Sequence, residues 1–519
     1  MRVKNSIVNI LFGLGNQALI TSLSFFSRTV FINTLGIEYL GINGLLTNIL
    51  AMLSLAEAGI GASIMYSLYK PVAEQDKDKI NALMNFFRKA YLAIAAVVLL
   101  LGLSIMPFLG LFTKDTNVDQ LYLIYGLFLL NTVLPYLYVY KNSFLNICQK
   151  GYIVTGIYSV STIISTLLKI CVLHFTENYL LYLLIETSTT LLTSIILVKI
   201  VNRKYPYLLE KNSARLDEET RGNIVRNVKA IVLQNIGNYL IFGTENIIIS
   251  SFISVAAVGL YSNYKMLIEI SRTFINQINN NVYHSLGNLV AKESKEKVFS
   301  IYKVYSLINF WLYSLVSVTM MIIITPFIKL WIGSDFLLNE EILYILVFTF
   351  FERGMRNPIT TVKTTSGIFA EDRYAPIIQA VFNLIISIIL VQNIGLAGVF
   401  LGTFISSLLV PFWYTPYLVF SKIFKLSLVS YFKLYFSYLS IGISMYILVN
   451  YLSSFVSNDN LISLLIKSAL IVFIINLFYV AIFYKTKEFQ YLVVIIRGFK
   501  SKLSIPLKGK RKKLTDTFL

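Results

Sequence analysis

Apolar stretches long enough to cross a lipid bilayer recur along the whole chain of 519 residues. Hydrophobic residues make up 56% of the sequence and charged residues 14%, whereas about a quarter of the residues in a soluble domain are charged. A transmembrane helix needs about 20 mostly apolar residues, and a transmembrane β-barrel would instead show short alternating segments. The sequence therefore predicts an all-α polytopic membrane protein.

About fourteen transmembrane helices can be counted along the chain. Their approximate bounds are 7–34, 40–68, 81–112, 119–147, 153–174, 179–201, 224–251, 256–289, 299–331, 341–365, 374–392, 396–420, 429–452 and 461–484. Lysine and arginine concentrate in alternate loops, which is the pattern of cytoplasmic loops. This pattern predicts that both termini are cytoplasmic. It also explains the net charge of +19 without a nucleic-acid partner.

An internal repeat divides the chain. Gly41 and Lys77 match Gly259 and Lys295, each 218 positions later. This offset spans six helices, an even number, so both copies should enter the membrane in the same direction. They should then be related by a pseudo-two-fold axis along the membrane normal.

The repeat predicts a division of the chain into five parts. These are an N-terminal six-helix lobe at 1–205, a cytoplasmic linker at 206–222, a C-terminal six-helix lobe at 223–422, two extra transmembrane helices at 423–486 and a basic cytoplasmic tail at 487–519. We expect the tail to rest on anionic membrane lipids, because clusters of lysine and arginine beside a membrane bind them.

Several ionisable residues lie inside the predicted spans, where a charge costs a few kcal/mol on insertion scales and usually faces a cavity or a partner. The basic residues predicted to bind substrate in a cavity are Arg28, Lys265, Arg272, Arg353, Arg356 and Lys363. The acids interpreted as cavity or ion-coupling groups are Glu57, Glu245 and Glu269. Lys169 and Glu186 also lie within spans. The excess of basic groups predicts a cationic cavity suited to an anion such as phosphate or pyrophosphate.

An alternative is that these charges only neutralise one another. Three pairings are open: Glu352 with Arg356, Glu269 with Lys265 or Arg272, and Arg28 with Glu245.

The repeat argues against complete pairing, because the charges do not follow it. Arg28 matches Asn246, and Glu57 matches Ile275. A residue needed only for the fold would tend to recur in both copies. Unmatched charges on a duplicated scaffold therefore favour an asymmetric ligand.

Catalytic and metal-binding motifs are missing from the sequence. It contains no phosphate-binding G-x-x-x-x-G-K-[ST] motif and no H-E-x-x-H motif, and Cys148 and Cys171 have no metal or redox spacing. No loop is large enough to form a catalytic domain. We therefore expect a protein that is not an enzyme and that needs no cofactor and no metal.

Three stretches near the N-terminus carry a family resemblance. They are Leu35-Gly-Ile-Glu-Tyr-Leu-Gly41, Leu53-Ser-Leu-Ala-Glu-Ala-Gly-Ile-Gly61 and Tyr69-Lys-Pro-Val-Ala-Glu-Gln-Asp76. They resemble the N-terminal signature of the Wzx-type polysaccharide flippases, which belong to the multidrug/oligosaccharidyl-lipid/polysaccharide exporter superfamily.

The resemblance implies two six-helix lobes and transport by alternating access. The implied cargo is an undecaprenyl-diphosphate-linked oligosaccharide, moved from the inner to the outer leaflet of the bacterial plasma membrane. Cationic cavity residues would meet the diphosphate. A polysaccharide polymerase and glycosyltransferases of the same pathway would be the partners.

Two other branches of the superfamily remain as alternatives. In the related lipid II flippases, arginines on the first, second and eighth spans line the cavity. Arg28 and Arg272 occupy such positions here, but the second span carries Glu57. A cation-coupled multidrug antiporter should have an acid-dominated cavity, which the excess of basic residues disfavours.

Overall fold

The computed structural model describes residues 2–57, 60–113, 116, 118–210, 216–368 and 371–494. Regular structure in this part of the chain is helical throughout, which confirms the predicted all-α class. The helices are α1 (Arg2–Leu53), α2 (Ile60–Glu74), α3 (Lys77–Ile105), α4 (Leu109–Phe112), α5 (Leu121–Val133), α6 (Val139–Ile147), α7 (Gly151–Thr176), α8 (Tyr179–Lys204), α9 (Glu218–Phe252), α10 (Val255–Lys292), α11 (Lys295–Trp331), α12 (Glu340–Met355), α13 (Asn357–Thr365), α14 (Ala375–Ile394), α15 (Leu396–Leu409), α16 (Pro411–Val419), α17 (Leu428–Ser453) and α18 (Leu461–Phe483).

Many of these helices can cross a membrane. Within the described residues, nine helical segments are long and apolar enough, and a tenth is added if α5 and α6, which meet at a 45° bend, form one span. Helices α9, α10 and α12–α13 cover three further predicted spans but are not among those nine. They carry most of the ionisable residues discussed below. The chain is a multi-pass membrane protein, as predicted.

Helix α1 covers the first predicted span and the start of the second, and it is interrupted at Gly36 (φ 84°, ψ −178°). In a straight helix, residues 28 and 43 would lie about 22 Å apart. Arg28 and Asn43 instead line the same small pocket, so the chain turns back at Gly36. A positive φ favours glycine, which lacks the Cβ that would clash there. The second predicted span, 40–68, is itself interrupted by a 3₁₀ turn at Ser54–Glu57.

Side-chain caps define where several helices begin. Asp76, Asn178, Asp217 and Asn460 each accept a hydrogen bond from a backbone N–H in the first turn of α3, α8, α9 and α18. Such caps satisfy donors that the helix itself leaves unpaired. All four lie in loops that the sequence places between spans.

The repeat is visible in the backbone. Gln149 (φ 57°) and Glu177 (φ 52°) adopt left-handed conformations just before and just after α7. Gly367 (φ 75°) and Gly395 (φ 63°), each 218 positions later, also have positive φ on either side of α14. Positive φ therefore recurs at matching positions of the two copies.

The chain forms two compact units. The first contains Met1–Thr273, Ile324–Thr349 and Phe369–Tyr414, and the second contains Phe274–Ile323, Phe350–Ile368 and Thr415–Leu519. The predicted lobes, linker and extra helices follow the repeat rather than compactness, and they remain a prediction. Residues 211–215 of the predicted linker and 495–519 of the predicted tail lie outside the described residues.

Candidate functional site

A pocket of about 280 Å³ lies beside Arg28 in the first unit. Helices α1, α7, α8 and α10 form its walls. Its lining residues are Ser24, Ser27, Arg28, Phe31, Leu40, Asn43, Thr166, Lys169, Tyr182 and Met266. We call it the Arg28 pocket.

Arg28 is half-buried and is held by Ser262 of α10. Its Nη1 donates to the Ser262 hydroxyl at 3.2 Å, and its Nη2 donates to the Ser262 backbone carbonyl at 3.3 Å. A guanidinium has five N–H groups, so these two bonds orient the side chain and leave other donors for a ligand.

Lys169 brings a second positive charge to the same pocket. Its Nζ lies 3.3 Å from Oε2 of Glu186 and 4.6 Å from the centre of the Tyr182 ring. The cation–π contact and the ion pair both stabilise the charged lysine away from water. Sequence reasoning did not assign Lys169 to the site, although its position inside an apolar span was the signal that could have found it.

Hydroxyl and amide groups complete the lining. Asn43 donates from Nδ2 to the Tyr179 hydroxyl at 3.2 Å, which fixes the orientation of its amide. Ser27 and Thr166 add hydroxyl groups. Two cations among several hydrogen-bonding groups can hold an anion that has many oxygen atoms, because charge-assisted hydrogen bonds to phosphate are strong.

The two predicted basic residues of α10 are engaged elsewhere. Arg272 donates from Nη1 to Oε1 of Glu269 at 2.6 Å, so one of the open pairings is formed. Lys265 lies over the Tyr261 ring, with its Nζ 5.6 Å from the ring centre. Neither residue lines the Arg28 pocket, and their contact with substrate remains a prediction.

Glu245 is buried among neutral donors. Its carboxylate accepts from the Tyr261 hydroxyl at 3.0 Å and from the Thr403 hydroxyl at 3.3 Å. Asn383 donates to Thr403 at 2.9 Å and extends this network. The alternative pairing of Glu245 with Arg28 is therefore wrong, since Arg28 bonds to Ser262 instead.

Glu57 lies in the 3₁₀ turn that follows α1. It accepts a hydrogen bond of 2.5 Å from the Tyr91 hydroxyl of α3. The contact fixes the position at which the second predicted span is broken. A role for Glu57 in ion coupling remains a prediction.

The remaining predicted basic residues belong to the second unit. Arg356 and Glu352 form an ion pair of 2.5 Å between Nε and Oε1, as the spacing of four residues allowed. Glu352 and Lys363 are buried, and Arg353 is half-buried. Their role in substrate binding remains a prediction.

The described residues offer no metal centre, since no three His, Cys, Asp or Glu side chains among them gather at one place.

The chain matches the model of a family described as polysaccharide biosynthesis protein over residues 3–283, more than half of its length. A comparison with curated protein sequences found no match.

Three solved structures with a similar fold are those of membrane transporters. The lipid II flippase MurJ in an inward closed conformation has a TM-score of 0.64 and 18% identity, with 92% of this chain and 99% of that chain covered. An inward-facing multidrug resistance MATE family transporter of the MOP superfamily has a TM-score of 0.55 and 14% identity, with 75% and 91% covered. The Vibrio cholerae MATE transporter VcmN in the bent form has a TM-score of 0.52 and 14% identity, with 82% and 98% covered.

Identities this low show a shared fold, while the family match extends to the sequence itself and agrees with the resemblance predicted from the N-terminal stretches. The chain therefore belongs to the polysaccharide biosynthesis protein family and has the fold of the MOP-superfamily transporters.

Proposed function

We propose that the protein flips undecaprenyl-diphosphate-linked oligosaccharide repeat units from the inner to the outer leaflet of the bacterial plasma membrane by alternating access, for surface polysaccharide synthesis. The observation that carries this proposal is that Arg28 and Lys169 line the same pocket inside the membrane-spanning part of the chain. The family of the chain and its transporter fold support it.

In this function, the Arg28 pocket receives the diphosphate. A diphosphate that leaves water must replace its hydration shell, and the penalty for an uncompensated charge in a bilayer is large. Arg28 and Lys169 supply the opposite charge, and the hydroxyl and amide groups of Ser27, Asn43 and Thr166 supply hydrogen bonds. The lipid tail stays in the bilayer while the polar head crosses.

Glu186 partly neutralises the positive charge of the pocket. Its side chain is more exposed than that of Lys169, 43% against 15%, so the carboxylate reaches water while the lysine lies deeper. When a diphosphate arrives, Lys169 exchanges a carboxylate for a phosphate, and Glu186 remains solvated. Lys169 therefore has a negative partner in both states, and the replacement of Glu186 uses part of the binding free energy of the diphosphate.

The charge of the pocket opposes a cationic cargo. A cationic drug would meet Arg28 and Lys169 at short range, and like charges in a medium of low dielectric repel strongly. We therefore favour an anionic cargo over the multidrug antiporter alternative.

In the proposed setting both termini face the cytoplasm, and a polymerase and glycosyltransferases of the same pathway work beside the protein.

The test is complementation of a bacterial strain that lacks its own polysaccharide flippase. We expect R28A and K169A to abolish surface polysaccharide at normal protein level in the membrane. K70A is the matched control, because Lys70 pairs with Glu74 on the surface and its side chain is 83% exposed. Normal polysaccharide in both R28A and K169A would overturn the site assignment. Rescue of a strain that lacks lipid II flipping, without rescue of polysaccharide, would replace the proposed cargo.

A further inference from the structure

The two copies of the repeat contact each other through one hydrogen bond that is made twice. Arg28 donates from Nη2 to the backbone carbonyl of Ser262 at 3.3 Å. Asn246 donates from Nδ2 to the backbone carbonyl of Gly44 at 3.0 Å. Asn246 lies 218 positions after Arg28, and Ser262 lies 218 positions after Gly44. The bonds are therefore equivalent and run in opposite directions, as they do across a two-fold axis.

The packing between these bonds is reciprocal as well. A side chain at Gly41 would overlap the backbone carbonyl of Val255, and a side chain at Gly259 would overlap the backbone carbonyl of Ile37. Val255 lies 218 positions after Ile37, as Gly259 does after Gly41. Small residues let membrane helices approach this closely. We call residues 28–44 together with residues 246–262 the seam.

The donors of the two hydrogen bonds in the seam have different surroundings. Asn246 is 3% exposed, and its amide is enclosed in the seam. Arg28 lines the Arg28 pocket, so the same guanidinium holds the seam and faces the cavity. The bond to Ser262 joins an ionised donor to a neutral carbonyl, whereas a phosphate offers the guanidinium an ionised acceptor and bidentate geometry. A phosphate in the pocket meets the remaining donors of Arg28 and attracts the guanidinium away from the Ser262 carbonyl.

We infer that the seam is a latch in which one hydrogen bond responds to substrate directly and the other does not. The Asn246–Gly44 bond stabilises the closed seam, and its enclosed amide makes no contact with substrate. The Arg28–Ser262 bond is exchanged for a bond to the diphosphate, so binding loosens the seam and favours the state in which it is open. This inference rests on the proposed function, because it requires an anion at Arg28. A ligand shifts such an equilibrium by its difference in affinity for the two states.

Disulfide cross-linking can report the state of the seam. A Cβ built at Gly44 lies 3.3 Å from Cγ1 of Val258, so the pair G44C and V258C should form a disulfide when the seam is closed. The background is the full-length protein in nanodiscs with Cys148 and Cys171 replaced by serine. The measurement is the initial rate of oxidative cross-linking. The rate is obtained from the number of free thiols that still react with a maleimide-linked polymer.

The ligand arm uses farnesyl diphosphate as a short polyprenyl diphosphate, farnesol as its uncharged analogue and inorganic pyrophosphate as the head group alone. We expect farnesyl diphosphate to slow cross-linking by about fivefold or more, the low end of usual allosteric coupling, and farnesol to have no effect. Slowing by pyrophosphate as well would assign the effect to the diphosphate group. R28Q should cross-link slowly from the start and should not respond to any of the three.

The variant arm tests the half of the latch that touches no ligand. N246A should slow cross-linking without farnesyl diphosphate, because it removes the bond to the Gly44 carbonyl. N393A is the matched control, since Asn393 is exposed and donates to Ile389 in its own helix at 2.7 Å. If N246A does not give a monodisperse protein, the ligand arm decides alone, because it keeps the native Asn246.

Equilibrium binding of labelled farnesyl diphosphate distinguishes a failure of the latch from a failure of the proposed diphosphate site. Arg28-dependent binding with an unchanged cross-linking rate would overturn the latch and leave the proposed function standing. A normal cross-linking rate in folded N246A would overturn the latch in the same way. A lack of Arg28-dependent binding would overturn the proposed site, and the latch with it.

Discussion

Trp331 donates a hydrogen bond from its indole Nε1 to the hydroxyl of Thr29, with 2.7 Å between the two atoms. Thr29 follows Arg28 in the chain, so an aromatic reporter lies one residue from the proposed diphosphate site. Phe25 packs against the same indole, with 5.1 Å between the ring centres. The emission of Trp331 should therefore respond when Arg28 changes its partner.

The first prediction uses this reporter. The chain has three tryptophans, and W311F with W413F leaves Trp331 as the single emitter. We expect farnesyl diphosphate to change the Trp331 emission in a saturable way, and R28Q to remove the change. A response of equal size in R28Q would mean that the ligand acts at another place. Farnesol controls for insertion of the lipid chain alone.

The sequence predicts the positions of the helices well because a single physical constraint sets them. A bilayer requires about 20 apolar residues per span, and the chain meets this requirement visibly along its length. The turn at Gly36 and the caps at Asp76 and Asp217 also lie in predicted loops. The positions of helices and loops along the chain are therefore readable from the sequence.

The partners of the charges were harder to predict, because rotation around a helix axis and the identity of the neighbouring helix are not visible in hydropathy. Glu269 had two possible partners at helical spacing, and the structure selects Arg272. Arg28 bonds to the polar but uncharged Ser262 rather than to an acid. Lys169 lines the pocket because α7 packs beside α1, and no sequence motif predicts this contact.

The second prediction concerns Glu186. E186Q removes the negative charge beside Lys169 and keeps the size of the side chain, so the pocket becomes more positive. We expect farnesyl diphosphate to bind about threefold to tenfold more tightly, corresponding to about 1 kcal/mol for a partly exposed charge. The measurement is the Trp331 titration at low and at high salt, and the gain should shrink at high salt.

E210Q is the control for this variant, because Glu210 is exposed and follows α8 and the short 3₁₀ turn after it. Weaker binding in E186Q than in the unmodified protein would contradict the role of Glu186 as a charge that the ligand replaces. It would show that the carboxylate positions Lys169 for the ligand.

The third prediction follows from the reciprocal packing of the seam. G41A and G259A each place a methyl group against a backbone carbonyl, of Val255 and of Ile37, respectively. A backbone carbonyl cannot move as freely as a side chain, so each variant should lose about 1–3 kcal/mol of stability. Because the two contacts are equivalent, the two losses should be similar. Thermal unfolding in detergent measures them.

Gly126 supplies the control for the seam variants. It lies in α5, and a Cβ there would meet nothing within 4 Å. Alanine is the better helix former, so G126A should leave the midpoint unchanged or raise it. A loss in G41A without a loss in G259A would argue against a symmetric seam.

The fourth prediction concerns Glu245, our proposed ion-coupling acid. Its carboxylate accepts from the hydroxyl groups of Tyr261 and Thr403, so E245A removes a buried acceptor from both, although Thr403 can still donate to the Val399 carbonyl at 3.3 Å. We expect the variant to cost about 1–3 kcal/mol. E245Q keeps an acceptor oxygen at nearly the same place and should cost less. The two variants therefore separate the structural role from the role in coupling.

Transport in proteoliposomes under an imposed proton or sodium gradient measures the role of Glu245 in coupling. We expect E245Q to bind farnesyl diphosphate normally and to lose the response to the gradient. Gradient-dependent transport in E245Q at the normal rate would restrict Glu245 to the network that holds α9, α10 and α15 together.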